Sequence, residues 1–270
     1  MPLAELADAT LFYEQRPSEA QGDGPPLLLI GGTGSDLRQQ PSPFAWPGAE
    51  RFSLLAYEHR DLGRSRSRSQ TQPTMADFAQ DALSLADHVG WERFSVLGIS
   101  FGGMVAQELA LAAQARIDRL ALVVTSAGGV LGSSFPLHEL YSLSPSARAA
   151  ELVKLLDTRA EHEPALAAAL ESYFAQDRGF ATREAAPAGL LRQLEARRHH
   201  DTAARLAQLR IPTLVVGGRF DGIAPPERSL KLAQAIPGAC VALFNGGHGL
   251  LVQDPAAWPM IAAFLHFAAA

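Results

Sequence analysis

The sequence predicts an α/β protein: a doubly wound, mostly parallel sheet with a helical segment inserted before one of its late strands. Three observations predict it. Six short apolar runs are nearly unbroken by polar residues, as strands buried on both faces require. Amphipathic helical stretches separate most of these runs. One long segment, residues 129–210, carries no strand pattern and is rich in Ala, Leu, Glu and Arg.

Taken in order, Ala9–Arg16 reads as an antiparallel edge strand. Leu27–Ile30, Phe52–Tyr57, Phe94–Ile99, Leu120–Thr125, Thr213–Gly217 and Ala239–Phe244 read as the buried strands. Ser65–Gln70 (SRSRSQ) reads as a solvated loop. Met75, Phe78, Ala79, Ala82, Leu83, Ala86 and Val89 follow the helical period, with a capping box at Thr74 and Asp77 and a stop at Gly90. Phe101–Ala113 predicts a helix directly after a strand. Helices are expected at Pro145–Asp157, Pro164–Gln176 and Pro187–His200, inside a segment too long to be a structureless loop. The last helix opens at Asp254-Pro255 and repeats Trp258, Ile261, Ala262 and Leu265 on one face. Right-handed crossovers between parallel strands follow from the β-α-β order. The expected organisation is a core of residues 1–128 and 211–270 with a helical cap at 129–210.

Composition narrows the function. The chain has 270 residues, 47% hydrophobic and 19% charged, which is enough apolar material for a packed core. A net charge of −5 argues against nucleic acid as the main partner. Cys240, the single cysteine, has no internal partner for a disulfide and fits a reducing compartment. The first residues lack a signal-peptide layout, and no apolar run approaches the roughly 18 residues of a membrane span. A cytoplasmic protein acting on a small molecule is expected, without a membrane partner and with homo-oligomerisation left open.

The strongest chemical signal is Gly98-Ile99-Ser100-Phe101-Gly102, a G-x-S-x-G between a predicted strand and a predicted helix. A serine there sits on a tight turn that lifts its hydroxyl above the sheet. The hydroxyl needs a base, and His248 stands in a glycine-flanked loop between the last strand and the last helix. The base needs an anion to hold its tautomer, and Asp221 follows the strand Thr213–Gly217. Gly31-Gly32-Thr33-Gly34 after the first buried strand offers a backbone cradle for an oxyanion. The N–H groups of Thr33 and Phe101 are the expected donors, each worth on the order of 3 kcal/mol of barrier. The loop lacks a P-loop lysine and dinucleotide spacing.

With LLLIGGTGSDLR, YEHRDLGRS, VLGISFGGMVAQELAL, PTLVVGGRFDGIAPP and GGHGLLVQDP, the chain resembles the α/β-hydrolase superfamily over nearly its full length. Within it, GISFGGMVAQELAL and HHDTAARLAQLRIPTLVVGG are similar to the 3-oxoadipate enol-lactonase-like branch. The resemblance implies a Ser100–His248–Asp221 triad, no metal or other cofactor, and a helical cap. Many relatives begin the oxyanion loop with His-Gly, where this chain has Gly31-Gly32.

These readings together predict hydrolysis of a carboxylic ester or lactone through an acyl-enzyme. Alternatives are carbon–carbon bond hydrolysis with the same triad and a non-catalytic binding module on this scaffold. A cyanohydrin lyase fits poorly, since the chain holds only Lys154 and Lys231. Dehalogenase and epoxide-hydrolase chemistry needs a carboxylate where Ser100 stands. Gly32 and Tyr141 are the expected substrate contacts. The cap also supplies other aromatics (Tyr173, Phe174 and Phe180 among them) and the arginines Arg148, Arg159, Arg178, Arg183, Arg192, Arg197 and Arg198, any one of which can clamp a substrate carboxylate. His200-Asp201 is expected to pin the cap to the sheet.

Overall fold

The computed structural model describes residues 2–19, 24–181 and 187–266, and the side chains of all of these except 173–181 and 187. The elements in chain order are β1 (Leu3–Glu5), β2 (Ala9–Arg16), β3 (Pro26–Ile30), β4 (Ser53–Tyr57), β5 (Arg66–Ser67), α1 (Met75–His88), β6 (Phe94–Ile99), α2 (Phe101–Ala112) and β7 (Ile117–Val123). They continue with α3 (Pro145–Leu156), α4 (Pro164–Ala181), α5 (Pro187–Arg198), β8 (Thr213–Gly218), α6 (Pro226–Ala235), β9 (Cys240–Phe244), α7 (Leu250–Gln253) and α8 (Ala257–His266). Between β7 and β8, three α-helices take the place of strands.

The sheet runs β1-β2-β4-β3-β6-β7-β8-β9. β1 and β2 pair antiparallel with their neighbours, and every pairing from β4 to β9 is parallel. This order has one consequence for function. β3 lies between β4 and β6, so the chain leaves β3 toward one side and returns to the other. The crevice at such a reversal, beyond the carboxyl ends of the strands, is where open α/β sheets bind ligands. Here β3 ends at Ile30, whose register partner Gly98 lies one residue before the end of β6. The Gly31–Gly34 loop and the G-x-S-x-G turn therefore emerge side by side.

The strands alternate between two apolar layers. Leu28, Ile30, Val96 and Leu122 face α1, α2 and α6, through Ala82, Val105 and Leu232 among others. Leu27, Leu29, Leu97 and Val123 face α8, where Ile261 and Leu265 pack beside Trp46 and Phe52. The indole rings of Trp46 and Trp258 stack at 4.6 Å and 12°. α1 starts at the expected capping box, with Thr74 and Asp77 exchanging both hydrogen bonds. The buried position on its third turn is Leu85, with Leu83 only partly buried.

Three strand expectations need correction. Ala9–Arg16 forms, but it is not the edge: β1 pairs outside it. Part of SRSRSQ is a strand, since β5 pairs with β2 through Ala9↔Ser67 and Thr10↔Arg66. β9, which the sequence reads as buried on both faces, closes the far edge, with Cys240 and Val241 exposed. Among the described residues no helix is long and apolar enough to cross a membrane.

Two histidines are sealed in this framework. Burial holds His59 and His200 well below their ordinary value, each at about 4. Between that value and the unfolded value near 6.5, the unfolded chain binds protons that the folded chain refuses. Stability therefore falls as pH drops through that window, by up to about 3 kcal/mol per ring. The urea midpoint is expected to be clearly lower near about pH 5 than near about pH 7. A flat midpoint across that range contradicts the neutral burial of both rings.

Candidate active site

Ser100 joins β6 to α2 with φ 55° and ψ −114°, left-handed backbone for a residue with a Cβ. Such a conformation costs about 1–3 kcal/mol and persists only where neighbours hold it. Here the Ser100 N–H donates to the Val123 carbonyl (2.8 Å), and its own carbonyl accepts from Thr125 Oγ1 (2.8 Å). The turn also needs bare backbone at Gly102. A Cβ there would stand 2.0 Å from the Ile30 carbonyl oxygen. The Ser100 side chain does not cap α2, so its hydroxyl is free for another partner at the positive end of a 12-residue helix.

That partner is His248. Its Nε2 lies 2.9 Å from Ser100 Oγ, and its Nδ1 lies 2.8 Å from Asp221 Oδ2. Asp221 is fully buried at the side chain. Its Oδ1 accepts from the N–H groups of Ile223 and Ala224, both at 2.8 Å, which turns Oδ2 toward the imidazole. A carboxylate only accepts, so Nδ1 carries the proton and Nε2 presents a lone pair to the serine O–H. Three side chains from the ends of β6 and β8 and the loop after β9 thus form one hydrogen-bonded line.

The helical segment stitches this line in place. The His248 N–H donates to the Leu156 carbonyl (2.6 Å), and the Gly222 N–H to the Leu155 carbonyl (2.9 Å). The Gly247 N–H donates to Gln253 Oε1, and Gln253 Nε2 donates to the buried Asp157. The end of α3 therefore holds both the acid loop and the imidazole loop. None of this was read from the sequence. Two of the contacts go to main-chain carbonyls, which no residue type signals.

The Gly31–Gly34 loop is held from two sides. His59 Nε2–H donates to the Gly31 carbonyl (3.0 Å) from beneath, within the rings of Tyr57, Phe78 and Phe101. From above, Gln193 of α5 accepts from the Gly34 N–H (2.9 Å), and Arg192 pairs with Asp61 (2.8 Å). Gly32 lies against the elbow, with a Cβ there falling 3.6 Å from both the Ile99 carbonyl and Ser100 Cβ. Thr33 follows Gly32, and its hydroxyl is buried without a partner. Phe101 is the first residue of α2, so its N–H has no acceptor within the helix.

Gly32 lines a cavity of about 610 Å³ with Leu29, Gly31, Ile99, Leu251 and Trp258. Tyr141 lines neither this cavity nor the smaller one described below. It is one-third exposed, with the Arg148 guanidinium 4.5 Å above its ring. Tyr173, Phe174, Arg178, Phe180 and Arg183 lie outside the residues whose side chains are described. Asp201 bridges to Gly128 through the main chain, and His200 is buried beside it. Among the described residues, no three or more His, Cys, Asp or Glu side chains gather as a metal would need.

Comparison with known proteins follows the same outline. Residues 25–255 match the family described as alpha/beta hydrolase fold. A protein of Azorhizobium caulinodans, provisionally named carbamate hydrolase RutD, is 30% identical over 94% of each chain. A 2-hydroxymuconate semialdehyde hydrolase of Pseudomonas putida is 30% identical over 86% of this chain and 84% of its own. The crystal structure of an enol-lactonase from Burkholderia xenovorans LB400 superposes with a TM-score of 0.76, at 24% identity, over 98% of this chain and 99% of that one.

Proposed function

This chain belongs to the alpha/beta hydrolase family and is a hydrolase, and on that premise we propose that it cleaves a small carboxylic ester or lactone through an acyl-enzyme on Ser100. The observation that carries the reading is the line Ser100 Oγ–His248–Asp221, with contacts of 2.9 and 2.8 Å. His248 Nε2 takes the hydroxyl proton as Oγ attacks the carbonyl carbon. The positive charge that forms on imidazole is met by Asp221. The carbonyl oxygen becomes an oxyanion, received by the N–H groups of Thr33 and Phe101. His248 then gives its proton to the leaving alkoxide. A water, deprotonated by the same ring, attacks the acyl carbon and restores Ser100.

Each part of the architecture supports a role. The strained elbow holds Oγ clear of its own helix, and His59 and Gln193 fix the loop that presents Thr33. The apolar cavity beside Gly32 suits the non-reacting part of a small molecule. No step calls on a metal or cofactor.

A second reading keeps the triad and changes the bond. The likeness to a semialdehyde hydrolase favours carbon–carbon bond hydrolysis, and the likeness to a carbamate hydrolase favours a carbamate. Initial rates on a panel of aryl esters, lactones, aryl carbamates and a vinylogous diketone decide between them. The ester or lactone reading expects the highest kcat/KM in the first two groups. Turnover confined to the diketone or the carbamate replaces it.

A further inference from the structure

A second cavity, of about 190 Å³, lies under the last turn of α5. Its wall includes Met104, Ser126, Ser134, His138, Arg197 and His200. It abuts the elbow: the Met104 N–H bonds the Ser100 carbonyl, and Gln107 Nε2 donates to the carbonyls of both Gly103 and Ser126.

The cavity holds an uncompensated charge. Arg197 is only 6% exposed. One Nη donates to Ser134 Oγ (2.7 Å), while its buried Nε has no partner. No carboxylate among the described residues stands within ion-pair distance of it, although eleven other arginines have one. Burial lowers the guanidinium to about 10, which leaves it charged at neutral pH. His200 is 4% exposed, and neither of its ring nitrogens meets hydrogen-bond geometry with a partner. It is neutral there, so it offers one N–H and one acceptor. His138 Nδ1 is also buried without a partner.

A buried, unpaired cation costs several kcal/mol unless something neutralises it. The cost falls on a cavity several times larger than the roughly 30 Å³ that one water takes up in the liquid. The occupant that balances it has a single negative charge, because among the described residues one guanidinium is the only full charge buried there. It is planar, because the free edge of the fork is planar. It accepts hydrogen bonds, because Arg197 Nε is buried without a partner and Arg197, His200, Ser126, Ser133 and Ser134 all line the space. A carboxylate has all three properties. A phosphate dianion would leave a surplus negative charge.

We propose that this cavity is a carboxylate subsite, with Arg197 as its anchor and His200 and Ser134 as its flanking hydrogen-bond partners. The carboxylate is either the acid group of an ester or lactone whose carbonyl sits at Ser100, which rests on the function proposed above, or a free small carboxylic acid. Where the carboxylate belongs to the substrate, Arg197 is the specificity-determining arginine among the seven named from the sequence.

The test has a binding arm and a kinetic arm, both on the full chain. In the first, thermal unfolding is followed during titration with sodium acetate, butyrate or succinate, against sodium chloride at matched ionic strength. Wild type is expected to show a saturable rise in Tm with the carboxylates alone, and Arg197→Gln to lose it. In the second, kcat/KM is compared for mono(4-nitrophenyl) succinate and 4-nitrophenyl butyrate. Wild type is expected to favour the acid ester, and Arg197→Gln to cut that ratio by roughly tenfold or more. Arg197→Lys, which keeps the charge but not the fork, is expected to fall between the two. Carboxylate-specific stabilisation with equal ester rates assigns the site to a free acid. Stabilisation without hydrolysis of any ester keeps the subsite and removes the ester reading. Should Arg197→Gln not fold, the wild-type titration and the lysine variant decide. The proposal is overturned if wild type shows neither a carboxylate-specific shift nor a preference for the acid ester.

Discussion

Ser100→Ala is expected to abolish ester turnover while leaving the fold intact. The size of the loss is about 10⁴-fold or more in kcat, the range seen when the nucleophile of such a triad is removed. The fold should survive for a local reason. The serine side chain makes no helix-cap bond, and its hydroxyl touches His248 alone among the described partners. The strained backbone at φ 55° is held by hydrogen bonds of the Ser100 N–H and carbonyl to the Val123 carbonyl and Thr125 Oγ1, which alanine keeps. Unfolding free energies of the two proteins should therefore agree within about 1 kcal/mol. Measured together, an unchanged midpoint and a lost rate separate chemistry from folding. Turnover at the wild-type rate would remove Ser100 from the reaction.

Asp221→Asn is expected to cost about 10⁴-fold in kcat, through the tautomer of a neighbouring ring. The geometry dictates how the new amide sits. Oδ1 accepts from two backbone N–H groups, so the amide oxygen must take that place and the NH₂ must replace Oδ2. An N–H donor then faces His248 Nδ1. The ring answers by accepting there and carrying its proton on Nε2, which now points a donor at Ser100 Oγ. A ring in that state cannot take the serine proton. The loss should diminish at high pH, where hydroxide substitutes for the base. Asp221→Asn retaining more than about one-tenth of the wild-type kcat contradicts the orienting role.

The parts of this site that were legible in the sequence share one property. Ser100, Asp221 and His248 each follow a strand that a short, nearly unbroken apolar run identifies, with glycine within two positions. Phe94–Ile99 and Ala9–Arg16 were bounded correctly because their burial patterns are intrinsic to short, regular runs. What escaped was set by pairing. Leu3–Glu5 is too short to carry a period, and Arg66–Ser67 is polar and becomes a strand only against Ala9 and Thr10. The apolar run Cys240–Phe244 does not say that no strand lies beyond it, so its exposed edge was unreadable. His59 carries no such signal in its sequence neighbourhood. It is wholly buried and holds the loop at Gly31, a role visible only once β3 and β4 lie side by side. The same applies to Gln193, 159 positions from the glycine it bonds. Arg197 looked like any of seven arginines, because the absence of a counter-charge is a property of three dimensions.

The proposed chemistry depends on a serine made nucleophilic by the two residues aligned behind it. Intact-mass spectrometry after brief exposure to a fluorophosphonate, followed by peptide mapping, asks this of the folded protein directly. One adduct per chain, on the peptide containing Ser100, is the predicted result, with the adduct absent in Ser100→Ala and formed far more slowly in Asp221→Asn. Folded protein that takes up no adduct, or takes it up equally well after the serine is replaced, contradicts the account.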